Sequence, residues 1–279
     1  MDRAEFRRAS LDVWDRMAPG WEERRDWLWE TSRAVGEDMV ARLDPQPAQT
    51  VLELAAGAGD TGFAAASRLG DAGRLISTDF SPEMVDVARR HGAELGVSNV
   101  EYRVLDAERM DLESDSVDGA LCRWGYMLMA DPAAALAETR RVLREGGRLA
   151  FAVFAGPDRN PFAAIPARVL VELGHMPPPV PGTPGICALG DPARIEELVT
   201  EAGFQAPEIE PVELHWPFTD FDDYWGFLLR IAGAIAMVLE ALPDEQRGVA
   251  RAQIEEAIAG YGSDGGYELG GVCLNVVTS

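Results

Sequence analysis

The sequence predicts an α/β protein built on a doubly wound, largely parallel sheet. Three observations predict it. Apolar runs of strand length alternate with punctuated helix signals from residue 50 to about residue 155. Those runs are rich in apolar residues, as suits strands buried in a covered sheet. A glycine-rich turn, Gly57-Ala58-Gly59-Asp60-Thr61-Gly62, follows the first run and leads into a helix signal.

The elements follow in chain order. Residues 1–45 look helical and carry Trp14, Trp21, Trp27 and Trp29 among many charges. Strands are expected at Val51–Leu54, Leu75–Thr78, Val100–Leu105, Val117–Cys122 and Leu149–Phe154. Ser81-Pro82-Glu83 supplies an N-cap, a first-turn proline and a first-turn acid for one helix. Asp131-Pro132 opens another, expected to stop at Gly146-Gly147. Asp191-Pro192 opens a third, with Ile195, Leu198, Val199 and Ala202 on one face. Two later strands are expected at Glu208–Trp216 and Val272–Thr278.

Two segments interrupt this pattern. Gly156–Gly190 is rich in Pro and Gly, and an aromatic-led helical stretch runs from Pro217 to about Gly266. The expected organisation is an N-terminal helical lid (1–45) and a core over 46–156 that resumes at 191–216 and 269–279. Inserts at 157–190 and 217–268 complete it.

The chain has 279 residues, with 47 acidic and 25 basic side chains and a net charge of −22. Such a surface repels phosphate backbones and anionic lipid, so nucleic acid is not an expected partner. Every one of the 25 basic side chains is Arg. The absence of Lys excludes a Schiff base, a Walker-type phosphate lysine and a Tyr-x-x-x-Lys pair. Cys122, Cys187 and Cys273 are odd in number and far apart. They predict a reducing compartment with neither a disulfide framework nor a metal site. MDRAEFRRAS has no apolar leader core, and Ile231–Leu239 is too short to cross a bilayer. A cytoplasmic monomer or homodimer acting on a small molecule is expected.

Gly57, Gly59 and Gly62 fit a dinucleotide-binding G-x-G-x-x-G. A nicotinamide-dependent oxidoreductase is therefore one reading. Glu53 argues for another. It ends the first strand inside an apolar run, where it can receive a ligand ammonium directly or through water. NAD has no ammonium, whereas S-adenosylmethionine (SAM) has an α-amino group and an α-carboxylate. The following helix N-terminus favours the carboxylate. Asp79 closes the second strand and can accept two ribose hydroxyls, and Phe80 can pack on adenine. Asp106-Ala107 ends the third strand, where a carboxylate can accept from the adenine amino group. Arg123-Trp124-Gly125-Tyr126 ends the fourth, at the methyl donor's end of the cleft.

The segments VLELAAGAGDTG, ISTDFSPEMV, VLDAERMDLESDSVD, GALCRWGYMLMADP and RRVLREGGRLAFAVF resemble the class I SAM-dependent methyltransferases, in particular the UbiE-like (methyltransferase type 11) group. The resemblance covers roughly residues 10 to 156. It implies a seven-stranded Rossmann-like sheet with an antiparallel last strand, SAM as cofactor, and methyl transfer. It places the cofactor against Glu53, Ala55, Gly57, Gly59, Thr61, Asp79, Phe80, Met84, Asp106, Ala107, Arg123 and Trp124. Trp14 and Trp21 would lie on a helix folded over the cleft. Ala55 replaces the first glycine of the family's usual loop, which keeps its shape if φ at residue 55 is negative. The family also contains members that bind SAM without transfer or run other chemistry on it.

Acceptor and base are read from what remains. Tyr126, Trp216, Phe221, Tyr224 and Trp225 are candidate walls of an apolar acceptor pocket. With Lys unavailable, His175, His215 and Tyr126 are the candidate bases. His91, beside Arg89-Arg90, is expected to be solvated.

Overall fold

The computed structural model describes residues 2–263 and 265–279. Two helices come first, α1 (Arg3–Glu23) and α2 (Arg25–Leu43). The alternating core follows as β1 (Thr50–Leu54), α3 (Asp60–Leu69), β2 (Arg74–Asp79), α4 (Pro82–Leu95), β3 (Val100–Val104), β4 (Val117–Arg123), α5 (Pro132–Val142) and β5 (Leu143–Phe154). Then come α6 (Pro161–Glu172), α7 (Pro192–Glu201), β6 (Glu208–Phe218), α8 (Phe221–Arg230), α9 (Ala234–Ala241), α10 (Asp244–Ile258), the two-residue β7 (Gly262–Ser263) and β8 (Gly266–Thr278).

The sheet order is β3-β2-β1-β4-β5-β8-β6, with β7 paired to β8. β1 to β5 are parallel, while β8 is inserted antiparallel between β5 and β6. The expected mostly parallel, seven-stranded path with an antiparallel last strand is what the chain forms. Strand order reverses between β1 and β4, so ligands belong at the carboxyl ends of β1, β2 and β4.

The local signals work as chemistry requires. Ser81 Oγ accepts from Met84 N–H at 3.1 Å, Pro82 fills the first turn, and Gly96 ends α4 at φ +71°. Asp131 and Asp191 cap α5 and α7 in the same way. One expectation fails: α5 stops at Val142, not at Gly146-Gly147. Leu143 already pairs with Val117, and the ladder resumes at Gly119 with Arg148. The glycines therefore sit in a bulge of β5 instead of capping the helix.

α2 buries Leu28, Ser32, Val35, Gly36, Met39, Val40 and Leu43, a stripe at helical spacing. It packs that stripe on β4, β5, β6 and β8. Val35 and Met39 are fully buried, so truncating Met39 to Ala would cost about 2–5 kcal/mol. α1 turns away from α2 and crosses to α4 and α8. No single helix among the described residues is long and apolar enough to cross a membrane; α8 and α9 reach that length only together, bent by 100°.

Candidate functional site

The turn from β1 to α3 lies between the carboxyl ends of β1 and β2. Gly57 and Gly59 adopt φ +55° and +89°, which a side chain resists. Ala55 adopts φ +51° as well, so the expectation of a negative φ there is corrected. A left-handed alanine costs about 1–2 kcal/mol, and the two peptides that follow it are anchored to β2. Ala56 N–H donates to Thr78 C=O at 2.9 Å, and Gly57 N–H to Asp79 Oδ2 at 3.0 Å.

Asp79 is buried, and its Oδ1 accepts from Ser81 N–H at 2.9 Å. Burial pushes this carboxyl up to about 6, against the pull of the Ser81, Gly57 and Phe80 amides. Glu53 is buried too. Its Oε1 accepts from Gly62 N–H at 2.6 Å and its Oε2 from Ser77 Oγ at 2.9 Å. Burial pushes Glu53 up to about 8; the Ser77 and Gly62 hydrogen bonds and the Arg123 charge oppose it. A Cβ on Gly62 would stand 2.1 Å from Glu53 Oε2, so this glycine is required by the carboxyl beside it. Glu53 ties the first turn of α3 to β2, and any ligand ammonium must share or displace those partners.

α1 closes over this turn. Trp21 lies against Gly57, with ring carbons 3.6 Å from where a Cβ would be. Its Nε1 is buried and has no hydrogen-bond partner among the described residues. Trp14 meets Trp21 edge-on at 6.1 Å and reaches toward Gly233. Ser81 Oγ donates to Asp15 Oδ1 at 2.5 Å. Arg7 pairs with Asp106 and, at 2.9 Å, with Glu108, and its guanidinium lies 5.9 Å from the Phe80 ring centre. Met84 joins Met17, Ala18, Ala58, Val87 and Ala236 in a small apolar seam under α1. Ala107 is also buried. Beside Phe80 and the first turns of α1 a cavity of about 530 Å³ opens to the surface.

At the end of β4, Arg123 donates to Ser32 Oγ at 2.7 Å and lies 4.6 Å from the Trp124 ring centre. Loss of solvation holds its guanidinium below the ordinary arginine value, opposed by Asp60 and Glu53. Trp124 has φ +63°, a strained backbone at a strand end. Its Nε1 donates to Cys273 Sγ at 3.0 Å, and its ring stacks on Phe154 at 4.8 Å.

Several expected residues are placed elsewhere. Tyr126 is 1 % exposed and bonded to Thr139 Oγ1 at 2.7 Å; the threonine hydroxyl donates onward to Ala135 C=O, so Tyr126 is the donor. Burial raises it well above an ordinary tyrosine, so it is corrected from candidate base and acceptor contact to core residue. His215 lies on the exposed side of β6, paired with Glu268 at 2.8 Å, which removes it as a candidate base. Thr61 is buried against α2, its Oγ1 3.2 Å from where a Gly36 Cβ would be. Trp216, Phe221 and Tyr224 are core. Trp216 stacks on Phe162 at 4.5 Å, and Tyr224 donates to Phe162 C=O at 2.7 Å. Trp225 is half-buried, 5.8 Å from the Arg251 guanidinium. His175 is half-buried just after α6.

His91 was expected to be solvated and is 4 % exposed. It approaches Ala58 C=O at 2.9 Å and Asp60 Oδ1 at 3.7 Å. Its burial is readable in retrospect: Met84, Val87, Ala88 and His91 share one face of α4. Arg7, Asp15, Ser32 and Ser77 carried no signal of their own, because their partners are far away in sequence.

Comparisons with known proteins agree with this geometry. The methyltransferase domain family matches residues 45–168. The ubiquinone/menaquinone biosynthesis C-methyltransferase UbiE of Caulobacter vibrioides is 32% identical over 176 residues, 58% of this chain and 69% of that protein. The arsenite methyltransferase of Halobacterium salinarum is 31% identical over 179 residues, 64% of this chain and 42% of that protein. Other curated relatives are matched over 36% to 66% of their own length. The YcgJ protein of Bacillus subtilis shares the fold, with a TM-score of 0.59 and 19% identity over 88% of this chain and 97% of that one. With a quinone-pathway methyltransferase matched over more than two thirds of its length and the glycine turn, Glu53 and Asp79 in register, the chain belongs to the SAM-dependent methyltransferases of the UbiE-like type.

Proposed function

We propose that this chain transfers a methyl group from SAM to a small, largely apolar or aromatic acceptor, at carbon or oxygen, by in-line displacement. One observation carries the cofactor half. The buried Trp21 Nε1–H, without a partner among the described residues, lies over a left-handed glycine turn whose Gly57 N–H is held by Asp79. A buried donor of this kind calls for an acceptor. The carboxylate of SAM supplies one, and its ribose hydroxyls suit Asp79, so the residues present fit the cofactor.

SAM, when bound, brings a methyl group already activated by its sulfonium. What remains for the chain is binding, alignment and exclusion of water. Orientation of the reactants can account for up to about 7–11 kcal/mol of such a barrier. Phe80 and the neighbouring cavity would take the adenine end. α1 acts as a lid: Arg7 on Asp106 and Asp15 on Ser81 hold it closed over the turn. Trp124 and Arg123 face the reacting end.

The aromatic layer behind Trp124 favours a flat, apolar acceptor, in keeping with the quinone pathway named for the Caulobacter relative. With Tyr126 and His215 away from the cleft, His175 is the remaining histidine candidate for a base. Alignment alone suffices for a nucleophile that ionises unaided, such as an acidic phenol or an enol. The test is calorimetric binding of SAM against NADH, followed by release of S-adenosylhomocysteine with a panel of phenols, hydroxyquinones and enols. Tighter binding of NADH would overturn the cofactor; SAM binding with no product across the panel would overturn transfer to this class.

A further inference from the structure

We infer that His91 is a positioning residue for the cofactor turn, acting through the Ala58 carbonyl; this rests on the cofactor reading above. Ala58 lies between the two left-handed residues Gly57 and Gly59 and is 2 % exposed. Its carbonyl cannot reach water, so it needs a protein donor. His91 Nδ1, 2.9 Å away on α4, is that donor. A carbonyl only accepts, so the ring proton must sit on Nδ1.

The ring is itself held. It meets Phe63 edge-on at 5.4 Å, and Asp60 Oδ1 lies 3.7 Å from Nδ1. Phe63 in turn lies against Gly59, where a Cβ would come within 2.6 Å of its ring. The turn is therefore gripped by two groups of one β2–α4 unit. Asp79 takes the Gly57 N–H on one side, and His91 feeds the Ala58 carbonyl on the other. The Gly57 N–H belongs to the Ala56–Gly57 peptide and the Ala58 carbonyl to the Ala58–Gly59 peptide, so the two bonds hold the peptides on either side of Gly57–Ala58, and with them the face that Gly57 presents to Trp21. The other end of the Ala58–Gly59 peptide is held by Gly59 N–H donating to Ala56 C=O at 2.9 Å, so loss of His91 leaves the carbonyl end unpaired and the turn less restrained.

Asparagine and glutamine separate this role from packing. The Nδ2 of Asn is as many bonds from Cα as Nδ1 of His, whereas the Nε2 of Gln is one bond further. His91→Asn should restore the hydrogen bond; His91→Leu and His91→Gln should not. Two measurements are made on the full chain. Hydrogen exchange of residues 55–63 without added ligand should quicken about tenfold or more in His91→Leu and return toward wild type in His91→Asn. SAM affinity by calorimetry should fall about tenfold in His91→Leu and His91→Gln and stay within about threefold in His91→Asn. If Asn, Gln and Leu variants lose equal protection and equal affinity, the ring only packs and the inference is wrong. Should His91→Leu unfold, the Asn and Gln variants decide between the same outcomes. Wild-type protein that fails to bind SAM, with the exchange pattern still following Asn against Gln, would overturn the cofactor reading and leave the clamp standing.

Discussion

Replacing Glu53 by Gln should flatten the pH dependence of stability. In the folded chain this carboxyl holds its proton to about 8, with burial as the first cause, against an ordinary 4.5. The unfolded chain releases the proton near 4.5. Between those values the folded state binds more protons than the unfolded one, so stability falls as pH rises through that window. It is fully present below about 4.5 and levels off above about 8. At about 1.4 kcal/mol per pH unit, the loss is on the order of 5 kcal/mol.

The glutamine in Glu53→Gln imitates the protonated acid. Its oxygen can accept from Gly62 N–H, and its amide can donate to Ser77 Oγ once that hydroxyl rotates. At pH 5 the two proteins should therefore differ by less than about 1 kcal/mol. At pH 9 the variant should be more stable by an amount approaching the full loss. Asp79 titrates in the same direction, held up to about 6, but it is present in both proteins and cancels in the difference. The assay is urea unfolding of both at pH 5, 7 and 9. Parallel curves would refute the reasoning and would mean that Arg123 compensates the Glu53 charge.

Further outcomes are expected. Asp79→Ala removes a charged acceptor for two hydroxyls, so SAM affinity should drop by about 10- to 150-fold in a folded protein; unchanged calorimetric binding would remove Asp79 from the site. Ala55→Gly relieves a left-handed alanine and should stabilise by up to about 1 kcal/mol once the freer unfolded chain is counted; a clear fall in Tm would show that the alanine's packing outweighs the strain. Tyr126→Phe should leave kcat unchanged while costing about 1 kcal/mol of stability. His175→Ala, if that residue is the base, should lower kcat by about 10²–10⁴-fold with SAM affinity intact.

The sheet was legible because its signals are local. Ser81, Asp131 and Asp191 cap helices through bonds to residues two or three positions ahead, and each was readable as such. The cofactor turn was legible because three glycines and two strand-end acids fall at fixed spacing. What the sequence hid depends on distant partners. Tyr126 looked like a site residue because it follows Trp124, yet Thr139 on α5 draws it inward. His215 and Trp216 were both candidate site residues, but successive residues of a strand point to opposite faces. Trp216 is 2 % exposed and His215 stands outside. An alternating strand cannot deliver both to one cleft.

The same rule explains why the aromatic insert misled. Phe221 and Tyr224, candidate acceptor walls, share a face of α8 with Phe227, and the sequence does not say what that face meets. It meets Phe218, which stands 4.9 Å from Tyr224 and 5.4 Å from Phe227, and Trp27 of α2, 5.9 Å from Phe227. These edge-on and tilted contacts place the insert aromatics in the core, and we propose that the acceptor is met nearer Trp124, where β4 ends. There the backbone is strained at Trp124, the indole is held by Cys273 from β8, and a guanidinium lies over the ring. Such strain persists only where the surroundings over-determine it. Groups at the end of β4 and on β8 fix that one indole, which makes Trp124, in place of the insert aromatics, our candidate surface for aligning an acceptor.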